Sequence, residues 1–150
     1  MNWNNLSFYY ADHFEVSLND THRFPMNKYR LLRDSLIEKN IIKKEQCKPA
    51  DMISRELLLL AHAPQYIDEV LNLTLDQKKA RPIGLPLTRE MVNRTMASAQ
   101  AFTHAVDESL VHGYGASFAG GTHHAHFDRG EGFCFFNDFA IKSIVAIRHI

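Results

Sequence analysis

Six of the seven glycines in this chain fall within twenty residues, from Gly113 to Gly132, with His123, His124 and His126 interleaved among them. Ahead of the densest part runs Ala116-Ser117-Phe118-Ala119, which predicts a short buried strand. Gly120-Gly121 ends it, and a polar loop follows from Thr122 to Phe136. Asn137 then predicts the cap of a helix whose apolar face is Ala140, Ile141, Ile144, Val145 and Ile147. A strand that passes through glycines and a loop into a helix is the working unit of a parallel α/β sheet. Its loop sits at the carboxyl end of the strand, where open α/β sheets bind ligands.

The rest of the chain agrees with that class. Ser7 to Tyr10 predicts a first buried strand, and a polar loop runs from Asp12 to Arg23. Pro25 opens a helix with Tyr29, Leu32, Leu36 and Ile37 at helical spacing, and Asn40 stops it. A second short strand is expected within Cys47 to Ile53. Ser54 caps a turn through Leu57-Leu58-Leu59-Leu60, which reads as core. Pro64 restarts the helix, with Tyr66, Ile67, Val70 and Leu71 inward. Pro82, Gly84 and Pro86 make Arg81 to Leu87 a loop. Thr88 caps the longest helix, with Val92, Thr95, Met96, Ala99, Phe102, Val106 and Leu110 in period and Gly113 at its end.

Bulk properties exclude several function classes. Lys+Arg and Asp+Glu both number 17, so the strong basic excess of a nucleic-acid binder is missing. The two cysteines, Cys47 and Cys134, form neither a CxxC pair nor a disulfide framework and read as reduced thiols. The first residues lack a basic segment followed by an apolar one, and no apolar run approaches the ~20 residues of a membrane span. A soluble, cytoplasmic protein is expected.

Candidate chemistry gathers on the glycine-rich loop. His123 and His124 are adjacent, so their side chains diverge on an extended loop, which suits separate roles in proton transfer near neutral pH. The plainer alternative is two loop histidines bonded to backbone. A zinc site using His126 with one of the pair is a further alternative, without a Cys partner in register. Phe133, between Gly132 and Cys134, can line a narrow apolar channel, while Asp128, Arg129 and Glu131 read as a solvated rim.

The segment AGGTHHAHFDRGEGFCFFND resembles the signature of the histone deacetylase family, within the arginase/deacetylase superfamily, and looks most like its bacterial and class IV-like branch. HRFPMNKYRLLRDSL, LLAHAPQYIDEVL and RPIGLPLTREMV resemble the family's upstream segments, so the likeness covers nearly the whole chain. The resemblance implies a three-layer α/β/α fold with a mainly parallel sheet, and a zinc-dependent deacetylase acting on acetylated lysine or another acyl amide. It implies His123 and His124 as the catalytic proton-handling pair. Gly121, Gly132 and Phe133 would bind substrate, Gly132-Phe133 as one wall of the tunnel, and Arg30 would lie near an internal channel.

In that family the zinc ligands, the tyrosine that steadies the oxyanion and the carboxylates that orient the histidines come later than Ile150. Residues 1–150 are therefore expected to form the amino-terminal part of one domain, with no metal ligands of their own. The loop Arg81 to Leu87 also lacks the family's rim aspartate. About three short strands for four or so helices point to an incomplete sheet, inviting self-association or a second half. A catalytically inactive homologue, or a binding or assembly protein, is the alternative to an enzyme.

Overall fold

The computed structural model describes residues 6–147, without the side chains of residues 145–147. Val145 and Ile147, expected on the last helix's apolar face, lie outside the described side chains. The elements run β1 (Phe8–Tyr10), α1 (Lys28–Glu38), β2 (Cys47–Pro49), α2 (Arg55–Leu58), α3 (Pro64–Leu71), α4 (Gln77–Ala80), α5 (Arg89–His112), β3 (Ala116–Ser117) and α6 (Asp138–Ile147). Among the described residues the sheet has the order β2-β1-β3, with both pairings parallel. Phe8 stands opposite Cys47 on one side and Ala116 on the other, so β1 is the central strand. The expected α/β class with a parallel sheet is what forms.

Local signals set most boundaries. Leu57 N–H donates to Ser54 Oγ, Met91 N–H to Thr88 Oγ1 and Ala140 N–H to Asn137 Oδ1, so α2, α5 and α6 are capped where the sequence indicates. Asn40 ends α1 in the left-handed region with φ of 54°. That helix begins at Lys28, later than Pro25 suggests, because the Pro25 carbonyl is engaged in a turn with Lys28 N–H. The short helix α4 is an addition to the sequence expectation.

Two apolar faces differ from expectation. In α1, Leu32 is 52% exposed and no residue is fully buried. Tyr29, Leu36 and Ile37 are half-buried, Tyr29 against the cluster of Ala11, Ala97 and Ala119, and Arg33 adds a pair with the nearly buried Asp12 at 2.5 Å and lies over the Tyr10 ring. Helical periodicity finds the first three but cannot register the Arg33 contacts, which rest on charge and an aromatic face. In α5, Leu110 is 60% exposed. The leucine run is also only partly core: Leu58 is fully buried and its neighbours are half-buried.

The main core joins α2, α3 and α5 to the end of the glycine-rich loop, with Leu58, Tyr66, Ile67, Met91, Phe135 and Phe136 packed together. A second, smaller cluster sets Ala11 and Ala119, just beyond β1 and β3, against Ala97 of α5. Small residues on all three elements let the strands approach the helix closely and carry the loop after β3 onto it. At Gly115 the approach is backbone on backbone: a Cβ there would lie 1.7 Å from the Ala105 carbonyl oxygen. Gly115→Ala is expected to lower stability by about 2–4 kcal/mol, because neither chain segment can yield without moving β3. Urea denaturation of the two proteins checks this.

Candidate functional site

The loop between β3 and α6 is fastened at many points, and those fastenings shape the site. Gly120, with φ of 110°, turns the chain where a Cβ would lie 2.9 Å from both Phe102 Cβ and the Ser98 carbonyl oxygen. Thr122 then bonds to the far end of the loop: its amide donates to Asp138 Oδ2 and its hydroxyl to the Phe136 carbonyl. Asp138 N–H returns a bond to the Thr122 carbonyl. Further along, Gly132 N–H donates to the Pro82 carbonyl and Phe133 N–H to that of Ile83, so the loop's second arm lies along the Arg81–Ile83 turn. The buried Tyr66 hydroxyl donates to the Phe135 carbonyl at 2.7 Å.

These ties bring His123, His124, Gly121, Gly132 and Phe133 together around a cavity of about 300 Å³, whose other walls include Phe24, Tyr29 and Arg94. The two imidazoles are exposed and do not diverge as their adjacency suggests: their ring centroids are 4.3 Å apart, with the planes 38° from parallel. His123 Nδ1 lies 2.9 Å from the Gly121 carbonyl oxygen. A carbonyl only accepts, so Nδ1 carries the hydrogen and Nε2 of the neutral ring keeps a free lone pair. A Cβ on Gly132 would press to 3.1 Å from the His124 ring, so only glycine lets the loop pass that close without moving the imidazole. Phe133 itself holds a left-handed φ of 66°, and its ring lies against Gly84 and 5.2 Å from the Phe24 ring. The resulting wall is aromatic and flat, a surface suited to a methylene chain.

Arg30 is placed elsewhere. It is exposed on α1 and borders a separate hollow of about 170 Å³, not the cavity of the histidines. Arg94 of α5 borders both spaces. It is 4% exposed, its Nη1 donates to the Phe14 carbonyl at 3.4 Å, and its Nη2 is buried without a hydrogen-bond partner. Burial opposes its charge, and the Asp12 carboxylate partly offsets that. Sequence reading passes over Arg94, although an arginine three residues after an inward methionine on an amphipathic helix is a usable signal.

His126 is drawn off by Glu131, 2.9 Å from its Nε2, on the exposed rim with Asp128 and Arg129. Among the described residues no group of three or more His, Cys, Asp or Glu side chains is arranged to hold a metal ion. The described residues therefore do not fit a zinc site by themselves. No described helix is long and apolar enough to cross a membrane.

Asp138, unremarked in the sequence beyond its place in the motif, is the most perturbed carboxyl of the site. Burial pushes it up to about 6, against the pull of the Thr122 and Gly121 bonds that favour its charged form. Its ordinary value is 3.8, so between these values the folded chain keeps a proton that the unfolded chain has lost. Stability from this group is therefore expected to fall as pH rises from about 4 to above 6. In Asp138→Asn that part of the slope should vanish, as urea midpoints measured across the range will show.

Comparison with known proteins follows the same lines. The sequence profile described as the histone deacetylase domain matches residues 22–149. An uncharacterized protein of Picosynechococcus is 38% identical over 134 residues, which cover 89% of this chain and 45% of that protein. The acetoin utilization protein AcuC of Staphylococcus aureus is 23% identical, covering 91% of this chain and 38% of its own length. The chain thus spans less than half the length of these relatives. Among solved structures, an HDAC homologue complexed with SAHA superimposes with a TM-score of 0.74 at 22% identity, over 96% of this chain and 41% of that one. An HDAC homologue from Aquifex aeolicus gives the same TM-score at 19% identity, with the same coverage. At these identities the structural likeness speaks for the fold.

Proposed function

The chain belongs to the histone deacetylase domain family, and from that premise we propose that it carries the proton-handling residues and one tunnel wall of a zinc-dependent deacylase centre. The observation that carries this reading is the His123–His124 pair at the mouth of a cavity walled by Phe133. Zinc, when bound in such a centre, polarises an acyl carbonyl and a water molecule. Its ligands would come from outside the residues described.

What the chain's own residues do can be stated. The Gly121 carbonyl fixes the tautomer of His123 and leaves Nε2 to accept a proton. His124, in contact with Gly132, is the second imidazole and would protonate the departing amine. Gly132 and Phe133, faced by Phe24, admit an acetyl-lysine stem or a related acyl amide. The channel role that the family resemblance attaches to Arg30 suits Arg94 better, because Arg94 reaches both the cavity and the outer hollow. The substrate is a small acylated amine or acylated lysine, with no role for nucleic acid or membrane, and cytoplasmic residence belongs to the same reading.

The test compares the 150-residue chain with the same chain supplied with the carboxyl-terminal portion of the Picosynechococcus relative. Alone, it should hold no stoichiometric zinc and hydrolyse no acetyl-lysine peptide. Complemented, it should gain zinc-dependent hydrolysis, and His123→Ala or His124→Ala should each lower kcat by roughly 100-fold or more. Hydrolysis indifferent to both substitutions would overturn the reading. One tight zinc and full activity in the lone chain would overturn the assignment of the ligands elsewhere.

Association follows from the sheet. On its outer side β3 has no strand partner among the described residues, and Phe139 on α6 is half exposed. Unpaired edges and exposed apolar side chains favour assembly. Sedimentation should show the lone chain larger than a monomer, whereas a monomer with a sharp cooperative melt would count against this.

A further inference from the structure

His62 lies in the turn between α2 and α3, sixty-one residues before His123 in the sequence, and is 1% exposed. It is buried from solvent and does not itself line the cavity. Its two nitrogens reach the two arms of the glycine-rich loop. Nε2 accepts the backbone N–H of Asn137 at 3.0 Å, and Nδ1 lies 2.8 Å from the His126 carbonyl oxygen. The next residue adds a third tie, Ala63 N–H donating to the Phe127 carbonyl.

Asn137 carries the connection onward. Its side-chain N–H₂ donates to the carbonyls of His123 and Ala125, at 3.2 and 3.0 Å, while its Oδ1 caps α6. Every hydrogen-bonding atom of the Asn137 side chain is engaged, and its amide ends on His62. A continuous path of bonds therefore runs from a buried imidazole in another part of the core to the backbone of His123.

We infer that His62 is a positioning residue for the His123–His124 pair, acting through Asn137 as a neutral imidazole in the Nδ1–H tautomer. An amide N–H only donates and a carbonyl only accepts, so this tautomer alone satisfies both contacts. A proton on Nε2 would set donor against donor at Asn137 and release it. Burial holds the His62 imidazole below the ordinary histidine range, opposed by its bond to His126, and so favours the neutral ring. The inference rests on the proposed role of His123 and His124, yet its test needs no turnover.

Long-range proton–nitrogen correlation spectra of the histidine side chains in the 150-residue chain read the tautomer directly. His62 should show a protonated Nδ1 and a bare Nε2 at neutral pH; the opposite tautomer overturns the inference. Two variants then divide the contacts. The His62→Asn side chain reaches only the place of Nδ1, whereas the oxygen of His62→Gln can take the place of Nε2. In His62→Asn, exchange of the Asn137 amide should quicken about tenfold, and the side-chain resonances of His123 and His124 should both shift. His62→Gln should keep the Asn137 protection. Amides within α5 should hold their protection in both variants, which separates local release from unfolding. In His62→Asn, an unchanged Asn137 exchange rate or unchanged His123 and His124 resonances overturns the inference. So does a His62→Gln variant no better protected than His62→Asn. Should either variant fail to fold, the tautomer in the unaltered chain decides. A failed deacylation assay leaves these results standing, and a reversed tautomer leaves that assay untouched.

Discussion

The site depends first on how closely β3 and the turn after it can lie against α5. Ala11, Ala97 and Ala119 form a layer with almost no side-chain thickness, and Gly115 brings β3 onto the Ala105 carbonyl. Gly120 then seats the turn against Ser98 and Phe102. Larger side chains at any of these places would lift the turn from the helix and carry the histidines with it. The chain gives up apolar burial here, because alanine and glycine bury little. It gains a loop whose first residues are placed by backbone contact, which has fewer ways to relax than side-chain packing has.

The loop's other contacts follow from that seat. Thr122 and Asp138 tie its two ends into one short span, so the residues between them form a closed excursion and not a free loop. Gly132 and Phe133 are drawn to the Arg81–Ile83 turn, while Phe135 and Phe136 enter the core beneath. The unusual φ of Phe133 is thereby held on two sides, by the Ile83 carbonyl and by Gly84 under its ring. A left-handed phenylalanine is a strained choice that persists when its surroundings determine it, as they do here. The aromatic wall and the histidines thus share one scaffold, and shifting one shifts the other.

Much of this is legible in the sequence, and the parts that are share a physical character. Caps at Ser54, Thr88 and Asn137 can be read because each is a bond between a side chain and an amide three residues on. The parallel sheet can be read because strand, glycine turn, loop and helix succeed one another locally. The cavity residues His123, His124, Gly132 and Phe133 stand within ten or so positions of one another. What escapes the sequence is long-range or charged. Leu32 keeps perfect helical period yet faces water, while Arg33 ties α1 to Asp12. Arg94 is hidden inside an apolar face, and the joining of His62 to Asn137 spans 75 residues, beyond the reach of any periodicity.

The loop's own bonds also fix where its three histidines stand. His123 commits Nδ1 to the Gly121 carbonyl, and its own carbonyl is held by Asn137. His126, the nearest further imidazole on the loop, is turned to the rim by Glu131 while its carbonyl is held by His62. Three imidazoles within four residues could converge on an ion only if the loop were free to fold inward, and its backbone bonds prevent that. The same bonds leave the exposed His123 and His124 beside the cavity, on backbone with little freedom to reorganise. Loop rigidity therefore keeps His126 apart from the other two imidazoles.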